Sequence, residues 1–346
     1  MYWATIDCGT TNSRVYLLDA VLRIVHKGAR KVGVRDTAIT GSRDVLRDGL
    51  ASLVHSTAAE AGVRLGDIQF AITSGMITSE IGLLEIPHLW APAGVDELAE
   101  SVTVSRDRAV FPLDLPLVFI RGIKNPYPPE TTYADIRRID FMRGEEAQVM
   151  GLLSRADLPS LPVTAVVLSS HTKYIHVRAD GRIAGSLTTL SGQVFEAIQQ
   201  ATSIGKSITA DGDPEPAEFA MAVNTAYEAV RHAGFLRALL MPRFMDVLLK
   251  VPAEVRRTFV EAAIAAEDAK VLEDFPLMGF PRNCPLILIG SPRRCRVFKA
   301  VLGRALPSGL SVTSISAADE VDRLSIEGAV VIARKAGWLP GGDGAA

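Results

Sequence analysis

Two short polar turns and one acidic pair hold most of the reactive side chains in this chain of 346 residues. The first turn reads Asp7-Cys8-Gly9-Thr10-Thr11-Asn12-Ser13-Arg14. A phosphate group needs backbone N–H donors at close range, which favours glycine and small residues, and it gains from hydroxyls and a cation. Gly9, Thr10, Thr11, Ser13 and Arg14 supply all of these. Asp7 ends an apolar stretch and is suited to hold Mg2+ through water, although the same residues also make ordinary hairpin turns. The second turn, Ser169-Ser170-His171-Thr172-Lys173, would grip the other side of a triphosphate if it faced the first across a cleft. A lone histidine at a strand end is more commonly bonded to backbone, and none of the six histidines stands at metal-ligand spacing from cysteines or carboxylates.

The acidic pair lies in Arg143-Gly144-Glu145-Glu146. Acids at a helix start complement the macrodipole, which is their structural role. After an arginine and a glycine they also suit catalysis: one carboxylate takes the proton of an attacking hydroxyl, while Arg143 holds an anionic substrate or the transferring phosphate. The dipole and Arg143 are expected to keep that carboxylate ionised. Neighbours on a helix point about 100° apart, so only one of the two faces a cleft well. Glu145 is the choice, because Gly144 lets backbone approach a substrate; Glu146, bonded to backbone, is the alternative. Gly290-Ser291-Pro292 follows an apolar stretch and could carry a nucleotide base, a weak signal in any α/β protein. Cys8 reads as a small apolar filler.

The elements that must position these groups repeat. Tyr2–Ile6, Ser13–Leu18 and Val21–Lys27 read as strands around the first turn; Val163–Leu168, Lys173–Ala179 and Arg182–Thr188 read as strands around the second, about 160 residues later. Such spacing is that of a duplicated α/β domain rather than a short-period repeat. Helical spacing marks Arg43–Ala61 with Ser42 as N-cap, then Gly144–Ser154, Pro216–Gly234, Leu236–Lys250, Ala253–Leu272, Arg293–Leu306 and Asp319–Ala336. Further strands are Ile68–Thr73, Pro285–Ile289 and Val312–Ser316. Residues 156–162, rich in proline, read as a linker. The expected division is residues 1–158, residues 159–338, and a frayed tail over 339–346.

Composition narrows the function. Apolar residues make up 48%, enough for two cores, and 37 basic against 39 acidic residues leave a net charge of −2. That balance lacks the basic excess of a nucleic-acid binder. No apolar run approaches the length of a membrane span, and no signal-peptide pattern opens the chain. Three cysteines without a paired motif predict a reducing cytoplasm.

The ordered set of stretches resembles the 2-dehydro-3-deoxygalactonokinase family, sugar-acid kinases of the acetate and sugar kinase/actin superfamily. Thr5–Arg14 looks like its first phosphate loop and Ser170–Tyr174 like its second. Ser74–Ser79 and Ile86–Ala93 look like substrate-side loops. Met142–Gln148 is close to its most distinctive motif, and Leu190–Phe195 and Leu288–Ser291 match later segments. The resemblance implies two ribonuclease-H-like domains of the actin/hexokinase type around a cleft holding ATP and Mg2+. It implies phosphorylation of the terminal hydroxyl of 2-dehydro-3-deoxy-D-galactonate, giving the 6-phosphate. It assigns Asp7, Gly9, Thr10, Thr11, Asn12, Arg14, His171, Thr172 and Lys173 to the phosphates and metal, and Gly290 and Ser291 to the adenosine. Gly75, Met76, Ser79 and Arg143 fall to the sugar acid, with Glu145 in the place of a catalytic acid. Departures are Ser169 for the family's usual glycine, Gln193 for an acid, and Glu80-Ile81-Gly82-Leu83. A kinase of another sugar or sugar acid, a phosphohydrolase of the same superfamily and a non-catalytic sugar-acid sensor are the other readings. The expected partners are a small sugar acid and ATP, with neither nucleic acid nor membrane; a homodimer is compatible.

Overall fold

A computed structural model describes residues 1–307 and 309–340 of the chain. In order, its elements are β1 (Tyr2–Cys8), β2 (Ser13–Leu18), β3 (Ile24–Arg30), α1 (Val34–Thr40), α2 (Asp44–Glu60), β4 (Ile68–Gly75), β5 (Leu89–Trp90), α3 (Val95–Glu100), β6 (Thr103–Ser105), β7 (Leu117–Phe119), β8 (Ile123–Lys124), β9 (Phe141–Met142) and α4 (Glu145–Leu153). The second half follows with β10 (Val163–Leu168), β11 (Thr172–Val177), β12 (Ile183–Thr189), α5 (Ser191–Ala201), α6 (Gly205–Ile208), α7 (Pro216–Ala233), α8 (Phe235–Val247), α9 (Ala253–Asp268), β13 (Leu286–Gly290), α10 (Pro292–Ala305), β14 (Val312–Ile315) and α11 (Ala318–Lys335).

Two sheets share one plan. The first runs β3-β2-β1-β4-β7-β6 and the second β12-β11-β10-β13-β14. In each, an antiparallel three-strand meander is extended by parallel strands, β4 beside β1 and β13 beside β10. This is the ribonuclease-H-like arrangement, present twice. A small third sheet, β5-β8-β9, ties the halves: Asn125 donates to the Ser186 carbonyl and accepts from the Ser186 amide, each at 2.8 Å.

Strand parity decides which side chains reach the cleft, because alternate residues point to opposite faces. On β1, Trp3 packs with α4 and α11 while Ala4, Ile6 and Cys8 pack under α2. Asp7 therefore points to the α4/α11 side, past the end of the apolar layer. On β11, Ile175 and Val177 share that central layer and Tyr174 packs under α7 and α9. Lys173 follows Ile175 to the cleft side, and Thr172 follows Tyr174 away from it.

Helices α4 and α11 cross in contact between the sheets. A Cβ on Gly328 would stand 1.7 Å from the Ala147 carbonyl oxygen, and one on Gly151 would stand 1.9 Å from that of Leu324. Only two glycines permit so close an approach, and it sets the N-termini of both helices at the cleft.

Some boundaries differ from expectation. The third strand starts at Ile24 rather than Val21, since Leu22 takes a left-handed turn conformation with φ 65°. Arg43 occupies the N-cap position of α2 without a side-chain cap, while the Ser42 hydroxyl accepts from Asp44 N at 3.2 Å. The short strands β5 to β9 carry no clear periodic signal, and helix α5, with Val194, Phe195 and Ile198 at helical spacing, is an addition to the expected elements. Leu339 is buried at 6% exposure in the central core, so the tail expected from residue 339 starts later; residues 341–346 lie outside the described residues.

Candidate active site

A cavity of about 770 Å3 lies between the sheets. Asp7, Gly9, Thr10, Arg14, Gly75, Met76, Arg143, Glu145, His171, Lys173, Gly290 and Ser291 all line it. Four expected residues do not. Thr172 is fully buried, with its hydroxyl 2.5 Å from that of Ser191 on the far side of the sheet. Ser79 is buried and donates to the Met76 carbonyl at 2.7 Å. Thr11 and Asn12 sit beyond the rim; the Asn12 carbonyl accepts from Gly9 N at 3.0 Å and closes the turn.

Both polar loops present backbone donors. In the first, α1 ties down the carbonyls: Val34 N donates to Gly9 O at 3.2 Å and Arg35 N to Thr10 O at 2.9 Å. The Thr10 and Thr11 amides have no intramolecular acceptor among the described residues. In the second, Ser169 N donates to His171 O at 3.1 Å and Ser170 O accepts from Gln193 N at 2.9 Å. The Ser170 and His171 amides are likewise without an acceptor among the described residues. Free amides on two facing loops form an anion cradle.

Asp7 meets Arg14 at 3.4 Å. Burial pushes its carboxyl above the ordinary range, Arg14 opposes that shift, and a second acid, Asp322, adds to it. Asp322 comes from α11, accepts from Lys27, and lies 3.9 Å from Arg14. Its distance along the chain hid it from sequence reasoning.

Glu145 and Glu146 divide as the helix geometry requires. Glu146 is fully buried and its two oxygens each accept from Gly144 N at 2.8 Å. Burial and the adjacent Glu145 push it up to about 8. Glu145 lines the cavity with its Oε2 buried and without a hydrogen-bond partner. Burial raises its carboxyl; Lys173 and the backbone amides of Glu145 and Arg143 oppose the rise, and Asp7 adds to it. The dipole and Arg143 are the groups expected to keep this acid ionised, and burial acts against them. Desolvation outweighs both, and the Arg143 side chain turns away to Thr78 Oγ1 at 2.6 Å and Ile86 O at 3.2 Å. The cation facing Glu145 is Lys173, 9% exposed, which donates to Phe141 O at 2.9 Å and Thr188 Oγ1 at 3.0 Å.

Glycines bring these parts together. Gly75 and Gly144 have φ of 89° and 105°. A Cβ on Gly144 would meet Gly75 Cα at 3.2 Å, and one on Gly75 would meet the Cys8 carbonyl at 2.7 Å. The start of α4 therefore sits directly against the end of β4, which in turn lies against the end of β1. Behind Phe141, His88 stacks at 5.0 Å between ring centres. Burial and the cations Arg143, Lys124, Arg121 and Lys173 push its imidazole down to about 4, which favours the neutral ring. A second cavity of about 390 Å3 adjoins the first through Ser169, Ser170 and Ser291, with Phe195, Arg257, Glu261, Arg293 and Phe298 around it. It lies beside the segment expected to carry a base.

Residues 7–323 match the 2-keto-3-deoxy-galactonokinase family. The chain belongs to this family. A candidate 2-dehydro-3-deoxygalactonokinase of Rhizobium meliloti strain 1021 is 26% identical over 137 residues, a stretch covering 40% of this chain and 40% of that one. A crystal structure of a candidate 2-dehydro-3-deoxygalactonokinase from Sinorhizobium meliloti matches 96% of this chain and 98% of its own, at 23% identity and a TM-score of 0.71. The (R)-2-hydroxyglutaryl-CoA dehydratase component A of Acidaminococcus fermentans matches 97% of this chain and 99% of its own, at 13% identity and a TM-score of 0.51. At those identities the two structures establish the fold that this galactonokinase-family chain shares with them. Among the described residues no helix is long and apolar enough to cross a membrane.

Proposed function

We propose that this protein is an ATP-dependent kinase of a 2-keto-3-deoxy sugar acid, acting on the terminal hydroxyl of 2-dehydro-3-deoxy-D-galactonate to give the 6-phosphate, in the catabolism of galactonate. The observation that carries the reading is Glu145. Its side chain lines a cavity walled on both sides by loops with free amides, and its Oε2 is buried without a hydrogen-bond partner. Such an oxygen accepts the proton of an attacking hydroxyl while the loops hold the phosphates of ATP. The oxygen–phosphorus bond to the sugar forms as the bond from the γ-phosphorus to the β-phosphate bridge breaks, and the displaced proton ends on Glu145. Lys173 uses two of its three donors on protein and offers the third across the cleft.

Asp7 is the residue that would hold Mg2+. Mg2+ is commonly held by one or two carboxylates together with substrate phosphates and water, and Asp7 supplies such a carboxylate in the cavity lining. When bound, the ion neutralises phosphate charge. Arg143 in the cavity lining suits the carboxylate of a sugar acid, and Met76 and Gly75 line the same cavity. The adjoining smaller cavity suits the adenosine. The cytoplasm fits three cysteines that are all free and buried.

Incubation with ATP-Mg2+ and a panel of sugar acids tests the proposal. ADP release only with a 2-keto-3-deoxy acid is the expected result. Release without any acceptor would indicate a hydrolase, and nucleotide binding without release a sensor.

A further inference from the structure

The second phosphate loop keeps its amides free only because something holds its carbonyls back. Ser170 O is held by the first turn of α5 through Gln193 N. That turn comes in close: a Cβ on Gly192 would stand 2.2 Å from Ser169 O. Ser169 O is held by a side chain from α10, the Arg294 guanidinium, whose Nη1 donates to it. Its Nη2 reaches Thr172 Oγ1 at 3.3 Å and Ser191 Oγ at 3.4 Å. Behind them Asp268, 4% exposed, accepts from Thr189 Oγ1 and keeps Oδ2 without a partner. Arg294 thus joins the end of β10, the start of β11 and the N-terminus of α5 from its own place on α10. It also forms part of the wall of the smaller cavity.

We propose that Arg294 is a positioning residue for phosphate binding. By holding the Ser169 carbonyl away from the cleft, it keeps the loop turned so that the Ser170 and His171 amides face the phosphates. Without it, the carbonyl is free to rotate toward the cavity, where its partial negative charge repels phosphate. The same hydrogen bonds fix Thr172 and Ser191, which explains why the Thr172 hydroxyl is unavailable to a ligand.

The inference rests on the nucleotide reading of the cleft, and direct binding separates it from the kinase assignment. Arg294→Met and Arg294→Lys are compared with the wild type by competition against a fluorescent ATP analogue, with ATP and adenosine as competitors. Losing a charge-assisted hydrogen bond to the loop predicts that Arg294→Met raises the Kd for ATP on the order of 10- to 100-fold, with adenosine changed less than about twofold. Arg294→Lys, which keeps one donor for Ser169 O, is expected to fall between wild type and Arg294→Met, and remains informative if the Met variant does not fold. Equal losses for ATP and adenosine would make Arg294 a wall of the base cavity and overturn the proposal. Unchanged ATP binding in either folded variant would do the same, as would a wild type that binds neither ligand. The ADP-release panel judges the kinase reading separately, whatever these ratios show.

Discussion

Glu145→Gln removes one charge from the cleft and almost no volume. Its effect follows from where the two acids point. Glu146 already spends both oxygens on Gly144 N, whereas Glu145 lines the cavity and keeps a buried Oε2 without a partner. A glutamine at 145 fills the same space but cannot take a proton. Loss of a general base costs roughly 10²–10⁴ in kcat, or about 3–5 kcal/mol of barrier. ATP affinity is expected to change little, because the amides and Lys173 that hold the phosphates are untouched. The variant is also expected to be at least as stable as the wild type near neutral pH, since a buried carboxylate is removed. The assay is sugar-acid-dependent ADP release at saturating substrates, paired with thermal unfolding and with Glu146→Gln as the control, expected to lose only a few-fold. The pH profile gives a second check. The base works ionised, and burial holds its carboxyl above the ordinary glutamate range, so kcat/KM falls as pH drops through that raised value. A large loss in Glu146→Gln with Glu145→Gln near wild type would refute the assignment; small losses in both would place the base elsewhere.

Three further outcomes are expected. Asp7→Asn, read by steady-state kinetics across a Mg2+ titration, is expected to lose at least about 10²-fold in turnover with unfolding unchanged; wild-type activity in the folded variant would remove Asp7 from the metal site. Lys173→Met takes away the cation that opposes the rise of the Glu145 carboxyl, so the acid limb of kcat/KM is expected to move to higher pH, and an unmoved limb would mean that the two groups do not interact in the working enzyme. Gly328→Ala places a methyl 1.7 Å from the Ala147 carbonyl oxygen and is expected to cost at least about 1–3 kcal/mol in denaturant unfolding; a variant of unchanged stability and activity would show that the α4–α11 contact is not tight.

The amino-acid sequence by itself carried the repeated strand pattern, both phosphate loops, Asp7 at a strand end and Glu145 after a glycine. These are local features, set by alternation, turn chemistry and helix starts within a few residues. Even the side on which Lys173 and Thr172 fall was legible, because they alternate with Tyr174 and Ile175 along one strand; grouping both with the phosphates ignored that alternation. Only the tertiary structure decided the rest. The Asp7–Arg14–Asp322 cluster joins β1 to a helix more than 300 residues later. The Arg143 guanidinium turns to Thr78 and Ile86 because the loop after β4 folds back beneath it. The raised Glu145 carboxyl reflects burial between two sheets, which no run of neighbouring residues encodes. Arg294 reaches Ser169 only because α10 and the turn after β10 meet at the C-terminal ends of the neighbouring strands β10 and β13. Local sequence sets what each segment offers, while the crossing of α4 over α11 and the packing of two separate sheets set what those offers meet.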